Sequence, residues 1–442
     1  MQRRGFLLSL GAATGLAAFS PVLGPAFAAS PPTLRTAARD AWLYGLPLIE
    51  MAGSRAEALR NGAPNTMLRQ RVLTTVETQR VTTPNNDTLY ARAWLDLRQG
   101  PVRLTLPPSP GRYLSVALMD MYSNNFAVLG TRTTGEAGGV FTIIGPDAAT
   151  NDPAAIRSPT AWVWLLARTL VDGEADLAAA NAVQDRIEVA GPRGTAPAPT
   201  AGRAAPWSQY FASVQQLMAE NPPPATDRLW LERMAPLGLG TAAGFDPSRF
   251  SPAEAAEITA GIMEAVRLVR SRRAGLLDRG WLYPKSNLGD FGQDYPYRAQ
   301  VALGGLAALP NVEAMYMRAV GPDDRPVFDS AGRYRLRLAG DALPPANAFW
   351  SLTMYEATPD GQFFFTPNPL NRWALGDRSP GLVRGPDGGL EILMQRDPPG
   401  GAMQNNWLPT PQQRPFSAIL RVYLPREPLL VGGYRLPPLE TI

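Results

Sequence analysis

Proline and glycine interrupt this chain so often that few of its segments can run as long helices. Of 442 residues, 45 are proline and 41 are glycine. Proline removes a backbone donor and fixes φ, while glycine raises the entropic cost of any regular element it enters. The expected result is many turns and short elements, which favours β architecture over a helical bundle. Two-residue alternation supports this. Val102, Leu104 and Leu106 alternate with polar residues and stop at Pro107-Pro108, and Arg333-Tyr334-Arg335-Leu336-Arg337-Leu338 has one wet and one dry face. Tyr113 to Met119, Val140 to Ile144, Ala161 to Leu170, Phe349 to Glu356, Leu390 to Gln395 and Ala418 to Leu424 read as further strands, with Asp360-Gly361 and Asp387-Gly388 as hairpin-type turns. No internal repeat of fixed period is visible.

Helical patterning is confined to two regions. Thr33 to Arg60 places Leu34, Ala37, Ala41 and Trp42 on one face, with Pro47 expected to kink or split the helix. In the middle of the chain, residues 191 to 206 have linker composition. They are followed by an apolar stripe at Tyr210, Val214 and Leu217 and by a capping-box start at Ser251-Pro252-Ala253-Glu254. That second helix is expected to bury Ile258, Ile262, Val266 and Val269. The fold class expected is therefore mainly β with α insertions (α+β): two β-sandwich or jelly-roll-like domains joined by a helical middle. The length suits two cores, and the boundaries fall at residues 29–190, 191–280 and 281–442.

The first 28 residues read as a twin-arginine signal peptide. Arg3-Arg4-Gly5-Phe6-Leu7 opens a weakly apolar stretch, and Ala26-Phe27-Ala28 meets the small-x-small rule for cleavage. Periplasmic or secreted location is the expectation, with no membrane span. The formal charge of +4 includes Arg3 and Arg4, so the remainder is close to neutral. No basic run with interleaved aromatics points to nucleic acid.

Two absences restrict the chemistry more than any motif does. There is no cysteine and no histidine, which removes thiol nucleophiles, imidazole bases and the commonest metal ligands. No cofactor and no metal site is expected, although Asp323, Asp324 and Asp329 leave oxygen-ligated calcium open without its full alternating ligand pattern. Recognition or catalysis must use carboxylates, phenols, guanidinium groups, hydroxyls, amides or the single lysine, Lys285, which forms no S-x-x-K motif.

Thr83-Pro84-Asn85-Asn86-Asp87-Thr88-Leu89-Tyr90, Leu95-Asp96-Leu97, Arg112-Tyr113 and Asp120-Met121-Tyr122-Ser123-Asn124-Asn125-Phe126 occur in that order in the first half. Arg298-Ala299, Ala348-Phe349-Trp350-Ser351-Leu352-Thr353-Met354-Tyr355, Asn368-Pro369-Leu370-Asn371-Arg372, Asn405-Asn406-Trp407-Leu408-Pro409 and Arg421-Val422-Tyr423 occur in the second. With these motifs the chain resembles bacterial proteins that pair domain of unknown function 1254 with domain of unknown function 1214. The resemblance implies two β-sandwich-like domains with a helical insertion, and frequent export. It implies no reaction.

Candidate site residues come from polar clusters near strand ends. Asn85, Asn86, Asp87 and Tyr90 form one, and Asp120, Tyr122 and Asn124 form a second, which alternation would place on one strand face. Trp350, Tyr355, Glu356, Asn371, Arg372, Asn406 and Trp407 form a third set. Such groups suit a small polar ligand with carboxylate or sugar-like hydroxyls, but they equally suit capped turns, core aromatics and braced loops. Binding of such a ligand is the first functional reading. A hydrolase or lyase acting on a carbohydrate-like substrate, with Asp87, Asp120 or Glu356 as acid and base, is the alternative, and an envelope-interaction protein is a third. Paired carboxyls about 5–10 Å apart across a cleft would favour catalysis. The partner expected is a small polar molecule, and homo-oligomerisation is left open.

Overall fold

The computed structural model describes residues 32–271 and 274–442, so the expected signal peptide lies outside the described residues. The first helix, α1 (Leu34–Leu59), begins where Thr33 caps it by accepting from the Thr36 backbone N–H. Pro47 lies inside α1 without splitting it, so of the two outcomes expected from sequence the split does not occur. Its neighbours Leu43, Tyr44, Leu46 and Leu48 are all buried in one core, and that packing tolerates the one lost backbone hydrogen bond.

Nine strands make the first sandwich: β1 (Leu68–Arg69), β2 (Thr88–Asp96), β3 (Val102–Leu106), β4 (Leu114–Met119), β5 (Asn125–Gly130), β6 (Gly139–Ile144), β7 (Ile156–Arg157), β8 (Trp162–Leu170) and β9 (Glu188–Ala190). One sheet runs β1-β2-β8-β4-β5 and the other β7-β6-β3-β9. Alternate residues of β2, β4 and β8 meet Val102, Leu104 and Leu106 of β3 between the sheets. Every residue of β8 is buried, which fits a central strand covered on both faces.

The helices α2 (Leu177–Asp185), α3 (Trp207–Glu220), α4 (Arg228–Met234), α5 (Pro252–Ser271) and α6 (Tyr295–Gly304) follow. With α1, most of them build a core against Trp94, Trp162 and Trp164 on the outer face of the first sheet. The Ser251–Glu254 capping box forms as the spacing predicts. Residues 191–206 hold no strand or helix, but they are fastened to the first sandwich through Asn65 to the Pro192 carbonyl and Arg98 to the Thr195 carbonyl. Among the described residues, no helix is long and apolar enough to cross a membrane.

The second sandwich comprises β10 (Leu276–Asp278), β11 (Trp281–Tyr283), β12 (Ala314–Ala319), β13 (Tyr334–Leu338), β14 (Ala346–Ala357), β15 (Phe363–Phe364), β16 (Ala374–Gly376), β17 (Leu390–Gln395), β18 (Trp407–Pro409), β19 (Phe416–Pro425) and β20 (Leu439–Thr441). Its sheets run β10-β11-β12-β19-β14-β15, with β16 also on β14, and β18-β17-β13-β20. The protein is thus mainly β, two sandwiches with helical insertions.

The second sandwich repeats the topology of the first and adds β10 and β15 at its edges. In each, the central strand (β8, β19) lies between the first and third long strands (β2 and β4; β12 and β14). The second long strand of each (β3, β13) carries the opposite sheet, with an antiparallel neighbour on both sides. The parallel pairs β6–β7 and β17–β18 complete the match. Register coincides as well. Ser115 lies opposite Arg168 and Gly130, and Ser351 lies opposite Arg421 and Gly376. The repeat has no sequence period because the two halves differ in loop length.

Candidate functional site

The outer faces of the two central sheets meet in a seam. Tyr113, Ala117 and Leu170 from the first sandwich pack on Phe349, Tyr423 and Leu424 from the second. Tyr113 approaches Phe349 and Tyr423 edge-on, with ring centroids 5.8 and 5.3 Å away. Directly paired strand residues share a face, so each sheet presents a Tyr–Arg–Ser row to the seam. Tyr90, Arg168 and Ser115 form one row, and Tyr316, Arg421 and Ser351 form the other.

The two arginines, each 4% exposed, are served differently. Arg421 donates from Nη1 to Thr353 Oγ1 at 2.9 Å and from Nη2 to the Thr83 carbonyl at 3.1 Å. The charge of Asp87 helps hold it protonated, and it lies 5.7 Å from the Tyr355 ring centre. Arg168 donates from Nη2 to the Ala307 carbonyl at 2.8 Å and sits 5.4 Å from the Tyr90 ring centre. Its Nη1 is buried without a partner. Burial opposes the charge on Arg168, but the phenolic oxygens of Tyr90, Tyr316, Tyr423 and Tyr113 outweigh it, so the guanidinium stays protonated. Among the described residues, no carboxylate pairs with it.

Asp87 reaches the seam because its loop is stitched to the second sandwich. Asn85 donates from Nδ2 to the Tyr423 hydroxyl at 2.7 Å, Tyr355 donates to the Pro84 carbonyl at 2.7 Å, and Ser351 donates to Asp87 Oδ2 at 2.7 Å. The Asn85 side chain also accepts the Asp87 backbone N–H. Burial raises the Asp87 pKa, with Arg421 and Ser351 pulling it back. Burial likewise raises Tyr316 and pushes Tyr355 up to about 12. Yet Asp87, Asn86, Tyr90 and Tyr316 all keep accessible surface.

The remaining candidates lie elsewhere. Asp120, Tyr122 and Asn124 do not share a strand face, because β4 ends at Met119 and residues 120–123 turn, with Ser123 at φ +64°. Asp120 Oδ1 accepts the backbone N–H groups of Tyr122 and Asn124 at 2.9 Å each, while the Tyr122 hydroxyl donates to the Asn221 carbonyl. Burial raises Asp120 too, and its own turn and Arg298 counter that. Trp350 lies inside the second sandwich. Glu356 accepts from Arg414 at 3.3 Å. Asn371 is an exposed turn residue at φ +48°. Arg372 Nη1 clamps the carbonyls of Gln404, Asn405 and Trp407, and burial lowers its pKa. Asn406 bonds Val383 and Glu391 backbone, and the Trp407 indole N–H bonds the Gln395 carbonyl. Lys285 pairs with Asp294 at 2.6 Å. No carboxylate pair spans a cleft among these groups. Nor do the described residues contain a group of three metal-ligating side chains.

The central members of the seam, Arg168, Arg421 and Ser115, are absent from the sequence-derived candidates. A readable signal exists: Arg168 is the one charge in the apolar run Trp162–Leu170, and a strand buried on both faces holds a charge only for a reason.

A family model described as domain of unknown function 1254 matches residues 64–191, and one described as domain of unknown function 1214 matches residues 313–427. No curated protein matches the chain. The crystal structure of the VPA0106 protein from Vibrio parahaemolyticus is 24% identical, with a TM-score of 0.69 over 93% of this chain and 100% of that one. That likeness shows a shared fold. An uncharacterised protein from Burkholderia cenocepacia is 13% identical, with a TM-score of 0.46 over 92% of this chain and 94% of that one.

Proposed function

Because the chain belongs to the family that pairs domain of unknown function 1254 with domain of unknown function 1214, which specifies no reaction, we propose from the geometry that it binds a small polar ligand carrying an anionic group in the seam between its sandwiches. Arg168 carries this reading. A guanidinium in a dry site is costly unless an anion or a full set of acceptors meets it, and Arg168 has one carbonyl, four phenols nearby and a free Nη1. Arginine is also the side chain best suited to planar anions. Asp87, Asn86 and Tyr90 keep accessible surface at the same seam, with the Tyr90 phenol available to the polar remainder of the ligand, while Asn85 and Tyr355 brace the loop that carries Asp87. Twin-arginine export, read from Arg3-Arg4, would put this binding in the periplasm and would carry the seam there already folded.

Hydrolysis by paired carboxylates is the weaker reading. Asp87 is engaged by Ser351 and Arg421, Asp120 by its own turn and Glu356 by Arg414. Thermal-shift and calorimetric titration of the protein with acetate, phosphate and glucose tests the proposal. The expected result is saturable binding of an anion but not of glucose, lost in Arg168→Gln. Binding that survives Arg168→Gln would overturn it.

A further inference from the structure

We propose that the anion beside Arg168 is a carboxylate and that Ser115 Oγ and Arg168 Nη1 are its two donors; this rests on reading the seam as an anion site and goes on to name the ligand class. The duplication supplies the argument, because one half of the molecule shows what the other half lacks. In the second sandwich Ser351 Oγ donates to Asp87 Oδ2 at 2.7 Å, and the charge of Arg421 favours the same carboxylate while its guanidinium donates to Thr353 and Thr83. In the first sandwich the serine and arginine hold the same register, Ser115 opposite Arg168. There, Ser115 Oγ and Arg168 Nη1 are both buried and both without a partner. The Ser115 hydroxyl lies near enough to the Tyr113 oxygen to lower that phenol's pKa, but the contact lacks hydrogen-bond geometry, so Ser115 Oγ is left without a partner, while the Tyr113 hydroxyl itself donates to Glu313 at 2.9 Å.

The duplication also identifies the protein group that corresponds to this place and shows why it does not fill it. Glu313 is the counterpart of Asp87. Each immediately precedes the first strand of its row, and each carbonyl accepts from the residue three beyond the arginine, Val171 N at 3.0 Å and Leu424 N at 2.9 Å. The Glu313 carboxylate, however, is occupied by the Tyr113 hydroxyl and by Arg132 Nε at 2.6 Å. The first sandwich therefore holds the donor set for a carboxylate, and the second sandwich's matching carboxylate, Glu313, is spent elsewhere. An external carboxylate seated on Ser115 and Arg168, as Asp87 is seated on Ser351 and beside Arg421, would satisfy both orphan donors. Two donors suit the two oxygens of a planar carboxylate and leave a tetrahedral phosphate under-bonded.

The test is calorimetric titration of the full-length protein in a carboxylate-free buffer, with acetate and propanoate against inorganic phosphate. The expected result is that the carboxylates bind and phosphate does not. Ser115→Ala should weaken acetate at least about tenfold, the loss of one charge-assisted hydrogen bond, and Arg168→Gln should abolish binding. If phosphate binds as tightly as acetate, or Ser115→Ala leaves acetate unchanged, the carboxylate assignment is overturned while the anion site stands. If no anion binds, or binding is indifferent to Arg168→Gln, the anion reading falls as well. Should Ser115→Ala fail to fold, the comparison of acetate with phosphate on the unaltered protein decides alone.

Discussion

Asp87 and Glu313 stand at the same point of two copies of one fold, and each sends its side chain across the seam to the other copy. Asp87 accepts from Ser351 of the second sandwich, and Glu313 from Tyr113 of the first. These reciprocal bonds fix how the sandwiches meet, since apolar packing alone tolerates small slips and a buried hydrogen bond does not.

Tyr113→Phe should therefore weaken the seam. It removes one donor from Glu313, which is 1% exposed, leaving Arg132 as the other side-chain donor. Loss of about 1–3 kcal/mol is expected, measured by urea unfolding. An unchanged midpoint would show that the seam does not need this bond.

Arg168→Met should stabilise the ligand-free protein. Replacing a buried cation that has no carboxylate partner with an apolar chain of similar length removes a desolvation cost, and buried ionic groups exchanged for apolar ones often gain about 1–4 kcal/mol. A higher Tm with loss of anion binding is the expected pair of results. A lower Tm would mean that the phenols and the Ala307 carbonyl already compensate the charge.

The pH dependence of stability should change in Asp87→Asn. Burial lifts the Asp87 pKa above its ordinary 3.8, so between the unfolded and folded values the native state binds more protons than the unfolded state. The contribution of this group is fully present below the unfolded pKa and is lost as pH rises through the folded one. Relative to the parent, the Asn variant should thus gain in Tm as pH rises from about 4 to about 7, read from melts across that range. A constant difference would place the folded pKa at its ordinary value.

Gly130 and Gly376 test the duplication directly. A Cβ on Gly130 would lie 2.1 Å from the Leu114 carbonyl oxygen, and one on Gly376 would lie 2.1 Å from the Trp350 carbonyl oxygen. These are the residues before the paired serines. Each Gly→Ala change should cost about 1–3 kcal/mol through overpacking, with Gly130 the worse because its φ of +121° disfavours a side chain. Thermal melts that show a cost at only one position would mean that the two strand edges are not equivalent.

Much of this architecture is written locally. Two-residue alternation places β3, β13 and β17 within a residue or so of where they fold, and the apolar run of β8 marks a central strand. The Ser251 capping box sets a helix start, because each signal depends on neighbours within one turn or one pleat. Pro47 and the 120–123 turn depart from the local rule, one held by surrounding core and the other by Asp120 bonding its own backbone.

The seam is different. Tyr90, Ser115 and Arg168 become neighbours through strand register, and Thr83, Thr353 and Arg421 become neighbours through the meeting of two sheets. Neither relation leaves a spacing that can be read along the chain. The sequence alone determined that no thiol or imidazole could act and that oxygen, amide and guanidinium groups must do so. Only the tertiary structure decided which of them stand together, because register and the facing of sheets are settled by contacts between residues far apart in sequence.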